Sequence, residues 1–451
     1  MLLPSQGWKF IFLIMGAILL WVGQATAGAR DYQALSLDDC LALAREANPV
    51  LGASRERVRE LVADYQAARS KFFPRLVLSS YYDRVPPNRF SSGGALTPFE
   101  LFKREGVTAV TGKQIIFDGL KTHYNTQATK IGTQAQKQEV QRTAEEVAFA
   151  VTEAFYRLIE AKENLQVARE ALRQRQEFAR LTNAFFQSGK ITHLDSFRAQ
   201  SQVSEAEQAV VEADNAVRLA REILVRTMGL PEPRQVDIRG RLPEKFVTAG
   251  DINSLWQETL NTNPELKRLD LEIAQSQTLI KAARGNYFPE VSLQAGSDVR
   301  HRDLGGTKPE WIAGVFMEYP FFEGGLTKAQ VAKASSQSRQ LLEKKRDRLN
   351  GLKVDLTSAW KDQENARQGV VTTRQTVATN AEAYASAQAL YRHGKAIGLD
   401  VLQAQVDLTS SRFTYIKYAV AYEIGRARIK QIIGSEKPAS DQPGLSGGQK
   451  P

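Results

Sequence analysis

Along two long stretches the apolar residues return at alternating four- and three-residue intervals. Val147, Val151, Ala154, Leu158, Ala161, Leu165, Ala168 and Leu172 form one stripe; Ala199, Val203, Ala206, Val210, Ala213, Val217, Ala220 and Leu224 form a second. This spacing predicts helices packed along heptad seams, the alanines letting two axes come close. A third stripe, Leu352, Leu356, Ala359, Gln363, Ala366, Val370, Thr373 and Val377, keeps the period with polar interruptions at Gln363 and Thr373. No proline occurs from Phe99 to Leu230 or from Phe321 to Lys437. Such gaps are what very long helices require, because an interior proline costs about 3 kcal/mol. A helix over Leu120–Gln187 would run roughly 100 Å at 1.5 Å per residue, longer than any globular core.

Shorter segments alternate with period two. Val291, Leu293, Ala295 and Val299 interleave with Ser292, Gln294, Gly296, Asp298 and Arg300, and Trp311, Ala313, Val315, Met317 and Tyr319 form the matching apolar face of the next segment. Leu76–Asp83 and Val107–Phe117 show looser alternation. Aromatics gather where helix meets strand: Phe72, Phe73, Tyr287 and Phe288 on entry, Phe117, Tyr319, Phe321 and Phe322 on exit. Girdles of this kind mark the interfaces of membrane β-barrels. Four strands cannot close a barrel alone; two chains would give eight strands with a filled interior, and three would give twelve with a passage.

The chain is internally duplicated. Asn48-Pro49 and Phe73-Pro74 recur as Asn263-Pro264 and Phe288-Pro289, an offset of 215 (263 minus 48). Phe117-Asp118-Gly119 recurs as Phe322-Glu323-Gly324, Gly189-Lys190 as Gly394-Lys395, Leu194-Asp195 as Leu399-Asp400 and Gly229 as Gly434, an offset of 205 (434 minus 229). The extra residues of the first copy therefore lie between Pro74 and Phe117, where 85–94 reads as a loop; His301–Pro309 is its turn-like counterpart.

Lys9, the apolar run Phe10–Val22 and Ala25-Thr26-Ala27 compose a signal peptide cut after Ala27. The chain then divides into a first repeat over 28–229, with strands near 75–85 and 105–117 and long helices near 119–187 and 192–228. A linker over 230–251 packs as a belt on the middle of the helices. The second repeat covers 252–434, with strands near 290–300 and 310–321 and helices near 324–391 and 397–433, before a disordered tail over 435–451.

Composition narrows the classes. The apolar run Phe10–Val22 is shorter than the ~20 residues a spanning helix needs, which excludes a polytopic helical membrane protein. Cys40 is the single cysteine, so no intrachain disulfide forms; Leu37, Cys40, Leu41 and Ala44 share a helical face and make it a buried thiol. The formal charge of +10 is spread along helical stretches among acids, which reads as solvated helix faces and not as a nucleic-acid surface. His123, His193, His301 and His393 are far apart and lack metal-site spacing, and Gly444-Leu445-Ser446-Gly447-Gly448 lacks the strand and helix that a nucleophile elbow requires. The chain is read as a non-enzyme with no cofactor and no metal.

These elements together resemble the outer-membrane efflux, or TolC-like, channel-tunnel family, over essentially the whole chain from Ser36-Leu37-Asp38-Asp39 to Gly434. The resemblance implies a mainly α fold with transmembrane β-structure: long coiled-coil helices form a periplasmic α-barrel, and four strands per protomer contribute to a twelve-stranded barrel of a homotrimer. It implies an exit duct in the outer membrane of a Gram-negative bacterium, working with an inner-membrane transporter and a periplasmic adaptor in efflux or type I secretion. Asp400 and Gln403 match the aperture-lining pair, only the first acidic. Asp195 and Tyr391 match a closing hydrogen bond, with Lys395 as a substitute for a second link. Gly189, Lys190 and Gly394 are the tip turns that meet the adaptor, and Phe73, Phe117, Phe288, Tyr319 and Phe322 are interface aromatics against outer-membrane lipid. The alternative class is a periplasmic coiled-coil scaffold or adaptor without a pore, which explains the heptads and leaves the strands unused.

Overall fold

The computed structural model describes residues 34–85, 103–231, 236–248, 250–302 and 305–434. The expected signal peptide, nearly all of the 85–94 loop and the 435–451 tail lie outside them. The first repeat runs α1 (Leu37–Ala47), α2 (Pro49–Ser70), β1 (Arg75–Val85), β2 (Lys103–Phe117), α3 (Lys121–Gln187) and α4 (His193–Met228). The second repeats that order as α5 (Ile252–Thr262), α6 (Pro264–Arg284), a 3-10 turn (Gly285–Tyr287), β3 (Glu290–Arg302), β4 (Gly305–Glu318), α7 (Leu326–Arg392) and α8 (Gly398–Ile433).

The heptad stripes become the seams of the long helices. Val151 and Leu158 of α3 and Leu224 of α4 are fully buried in one cluster, against which Val210, Ala213 and Ala220 pack. Leu172 is only half-buried, and the buried residue beside it is Ala171, whose carbonyl accepts from the Gln405 amide of α8 at 3.1 Å. On α7 the polar interruption Gln363 is buried too, accommodated by Gly425 of α8: a Cβ there would stand 3.1 Å from that of Gln363. Cys40 is fully buried as the stripe required, and desolvation pushes its thiol up to about 12.

The duplicated Asn-Pro and Gly residues form a joint. The Asn48 side chain caps α2, its Oδ1 accepting from the Val50 and Leu51 N–H groups at 2.9 and 3.2 Å, while its Nδ2 donates to the Thr227 carbonyl at the end of α4 at 2.8 Å. Asn263 does the same for α6, accepting from the Leu266 N–H at 3.0 Å and donating to the Ile432 carbonyl of α8 at 2.7 Å. Pro49 and Pro264 follow at a position where no N–H is needed. Gly229 and Gly434 end α4 and α8 in the left-handed region, and a Cβ on either would stand within 2.7 Å of the incoming segment. Thus α4 and α2, distant in sequence, run end to end, as do α8 and α6. Across the wall the order is α4 with α2, then α3, then α8 with α6, then α7.

The strands form one antiparallel sheet in the order β1-β2-β3-β4. Leu78 stands opposite Val110, Val110 opposite Ser297 and Ser297 opposite Trp311. With period-two alternation, this register gathers Leu76, Tyr82, Leu293, Val299, Ala313, Val315 and Met317 onto the same face as Leu78, Val110 and Trp311. The opposite face is mixed, with Arg75, Lys113, Gln294, Asp298, Glu310 and Glu318 standing among Val77, Tyr81, Ile312 and Phe316, and Lys113 is bonded to Glu290 at 2.9 Å. Both second-repeat strands differ from expectation. Strand β4 begins at Gly305, so Pro309 is inside it, opposite Val299, and not in a turn. The protomer leaves β4 at the sheet edge, where a missing N–H breaks no central ladder. It stops at Glu318 because Pro320 ends the pairing, which leaves Tyr319 and Phe322 beyond the strand.

The linker crosses the middle of the wall. Ile238 forms a parallel bridge with Leu35, Asp237 pairs with Lys162 of α3, the Tyr422 hydroxyl of α8 bonds the Val247 backbone, and Trp360 Nε1 of α7 donates to the Gly250 carbonyl at 3.0 Å.

Replacing Asn263 with Ala removes a helix cap and leaves the buried Ile432 carbonyl without its donor. The expected loss is about 2–4 kcal/mol, read as a lowered midpoint of thermal unfolding by circular dichroism. Asn261→Ala, which loses only a bond to the Gln257 carbonyl within its own helix, should leave the midpoint nearly unchanged.

Candidate functional site: the helical tips and the sheet face

Both helical hairpins turn in the same way. Gly189 and Gly394 take left-handed φ values of 70° and 72°, and the Lys190 and Lys395 N–H groups each reach back to a carbonyl of the preceding helix at 2.9 Å. This double bond pattern with a left-handed residue is the Schellman stop, and it explains the duplicated Gly-Lys. Each turn opens onto a helix whose third residue is an aspartate. The Asp195 carboxylate accepts from the hydroxyl of the N-cap Thr192 at 2.8 Å; the Asp400 carboxylate accepts from the N-cap Ile397 N–H at 3.2 Å. The first helix is capped by the Thr192 hydroxyl oxygen, which accepts from the Asp195 N–H at 3.4 Å, and the Asp400 carboxylate itself meets a backbone N–H at the start of the second. Asp400 and Gln403 remain exposed on the protomer, and the Gln403 amide donates to Asp407 at 2.9 Å.

Tyr391 is buried in the tip core with Phe178 and Phe185, ring centroids 5.2 and 5.6 Å away. The hydrogen bond expected between Tyr391 and Asp195 is not formed in the protomer. The Tyr391 hydroxyl is buried without a partner, while the Asp195 carboxylate is engaged by Thr192. Burial, with the nearby Asp195 charge, raises the Tyr391 phenol above its ordinary value. The expected second link is also not formed: Lys395 is exposed and makes no ion pair among the described residues, whereas Lys190 lies over the Phe185 ring at 5.3 Å.

Sequence reading missed two features of the tips. His193 is held between Phe186 and Phe197, with centroids 4.8 and 4.0 Å away. Leu194, Ile397 and Leu399 beside the turns are exposed. Their signal was the leucine that stands four residues after the lysine of each Gly-Lys turn.

At the other end Phe73, Phe117, Phe288, Tyr319 and Phe322 are all exposed, Phe322 by 83%. Phe117 meets Phe288 edge to face at 6.4 Å, tying the base of β2 to that of β3. Gly119 is packed so closely there that a Cβ would stand 2.3 Å from the Gly285 carbonyl oxygen. The aromatic band and the apolar face of the sheet are continuous. Among the described residues no helix is long and apolar enough to cross a membrane, and no group of side chains is arranged to hold a metal ion.

A duplicated helical wall ending in a four-stranded sheet with one apolar face defines the channel-tunnel class. The family model for outer membrane efflux proteins matches residues 40–230 and 255–435, and the chain belongs to that family. It is an outer-membrane protein whose helical part extends into the periplasm. Outer membrane efflux protein BepC of Brucella suis is 22% identical over 444 residues, covering 96% of this chain and 90% of BepC. Cobalt-zinc-cadmium resistance protein CzcC of Cupriavidus metallidurans is 26% identical over 55% of this chain, a match that spans 58% of CzcC. Among solved structures, the outer-membrane channel OprN superposes with a TM-score of 0.76 at 18% identity, covering 89% of this chain and 90% of OprN. The CmeC channel of Campylobacter jejuni superposes with a TM-score of 0.75 at 16% identity, covering 89% and 87%.

Because its hydroxyl is buried and unbonded, Tyr391→Phe should leave thermal stability unchanged or raise it by up to about 1 kcal/mol. Tyr391→Ala should cost about 3–5 kcal/mol through the cavity it opens. Thermal unfolding of the two variants measures the contrast.

Proposed function

We propose that this chain is the exit duct of a tripartite efflux or type I secretion system: a homotrimer that passively conducts substrates from an inner-membrane transporter and periplasmic adaptor to the exterior. The observation that carries it is the agreement between the open sides of the two layers. The sheet has free edges at β1 and β4, and the helical wall has free sides at α2 with α4 and at α7. Strand β1 follows α2 and β4 precedes α7, so sheet and wall are unfinished on the same two sides. Exposed apolar residues stand on these outer elements, Val211, Leu219 and Ile223 on α4, Val354 and Val371 on α7. A head-to-tail contact joining one side to the other of the next copy closes a ring without leaving an edge. Three copies supply twelve strands and an open passage, and the apolar face of the sheet then meets lipid while the mixed face lines the lumen.

In that ring the tips form the periplasmic mouth. Asp400 lines the aperture as a threefold ring of carboxylates, with Gln403 one turn above, and favours cations over anions. Tyr391 and Asp195 keep the mouth closed through the packing and capping of the tip, Lys395 standing free beside it. The Gly189-Lys190 and Gly394-Lys395 turns, with the exposed Leu194, Ile397 and Leu399, present the apolar edge that an adaptor covers.

Asp400→Asn keeps an acceptor for the Ile397 N–H and removes the charge. In planar bilayers under a salt gradient, the reversal potential of the variant should move toward zero relative to the native channel. An unchanged reversal potential would reassign Asp400 to capping alone.

A further inference from the structure

The residues entering the two strand pairs carry a second duplication: Arg69-Ser70-Lys71-Phe72-Phe73-Pro74 and Arg284-Gly285-Asn286-Tyr287-Phe288-Pro289. In both copies the helix tightens before the proline. The Phe72 and Phe73 N–H groups donate to the Arg69 and Ser70 carbonyls at 3.0 Å each, and Arg284 is the N-cap of the 3-10 turn Gly285–Tyr287. In a 3-10 turn residues three apart eclipse one another, so Arg69 lies under Phe72 and Arg284 under Tyr287, on the order of 6 Å to the periplasmic side.

Both arginines are exposed, and neither has a carboxylate partner among the described residues; the Arg69 guanidinium lies over the Tyr65 ring, 5.9 Å from its centroid. The neighbouring acids are engaged elsewhere: Glu290 by Lys113, Asp118 by the Thr122 hydroxyl and N–H, Glu323 by the Thr327 hydroxyl. Lys71 is exposed beside the first arginine, and Lys281 lies one turn before the second with its ammonium 5.9 Å from the Tyr124 ring. Each repeat thus ends its helix with an exposed arginine, unpaired with any carboxylate, one short turn below an exposed aromatic residue.

We infer that Arg69 and Arg284 are binding sites for the phosphodiester headgroup of an anionic phospholipid in the periplasmic leaflet of the outer membrane. The aromatic ring marks the headgroup level, and the planar guanidinium one short turn below it matches phosphate oxygens in pairs. A headgroup with no ammonium of its own leaves the phosphate charge for the arginine, so phosphatidylglycerol is held in preference to phosphatidylcholine. The inference rests on the outer-membrane placement of the sheet and is independent of the gate at the tips.

The test reconstitutes the full chain in phosphatidylcholine vesicles with trace spin-labelled phosphatidylglycerol or phosphatidylcholine, and reads the motionally restricted fraction of each label by electron paramagnetic resonance. Flotation with the vesicles checks insertion first, so failure to insert and loss of lipid preference are told apart. The native protein should restrict phosphatidylglycerol over phosphatidylcholine about fivefold at low salt. Arg69→Gln with Arg284→Gln should bring the ratio close to one, and Arg346→Gln, far from the sheet on α7, should leave it intact. Equal restriction of the two lipids by the native protein overturns the inference whether or not the double variant inserts. So does a preference that survives in the double variant, or displacement of the labelled lipid by inorganic phosphate at matched ionic strength.

Discussion

Two asparagine side chains hold the wall together. Each of Asn48 and Asn263 bonds at once to the first amides of one helix and to a last carbonyl of another, so that two ends needing partners satisfy each other through one residue. Without that splice, the ends of α4 and α2 would face each other with unmet groups midway along α3, and the same holds for α8 and α6. The left-handed glycines Gly229 and Gly434 are the other half of the joint, since any side chain would force the two ends apart. A wall of four helical columns is thereby assembled from two long helices and two spliced ones.

The splice also sets what the sheet can do. Because α2 and α6 continue α4 and α8 upward, each delivers its strand pair beside the long helix that leaves it. The strands therefore arrive in the same lateral order as the helices. An unfinished sheet above an unfinished wall, open on the same sides, asks for the same neighbour at both levels. The register brings Gly112 of β2 between Leu76 of β1 and Ala295 of β3, and Val110 between Leu78 and Ser297, so the looser alternation of β1 and β2 joins the more apolar face that β3 and β4 define.

Much of this was legible in the sequence because it rests on periodicity. The heptad stripes and the proline-free gaps outlined α3, α4 and α7, and period-two alternation outlined the strands. What stayed hidden depends on contacts distant along the chain. Asn-Pro was visible as a repeated motif, yet nothing local says that its amide reaches a carbonyl nearly two hundred residues away. Pro309 read as a turn because proline usually breaks a strand, and only the pairing with Val299 shows that the strand runs through it. Asp195 read as a partner for Tyr391 because the family resemblance implied a closing hydrogen bond there; the Thr192 hydroxyl has the carboxylate instead. Arg69 and Arg284 drew no notice because arginine on a helix is ordinary until its acidic neighbours prove to be engaged elsewhere.

The tips and the sheet face are the two ends of one object, and the roles proposed for them depend on closure into a ring. Sedimentation of the detergent-solubilised protein, corrected for bound detergent, counts the copies in the particle directly. The account requires three. A protein that stays monomeric, or pairs, when extracted from the outer membrane in mild detergent would contradict it, because neither number of four-stranded sheets encloses a passage.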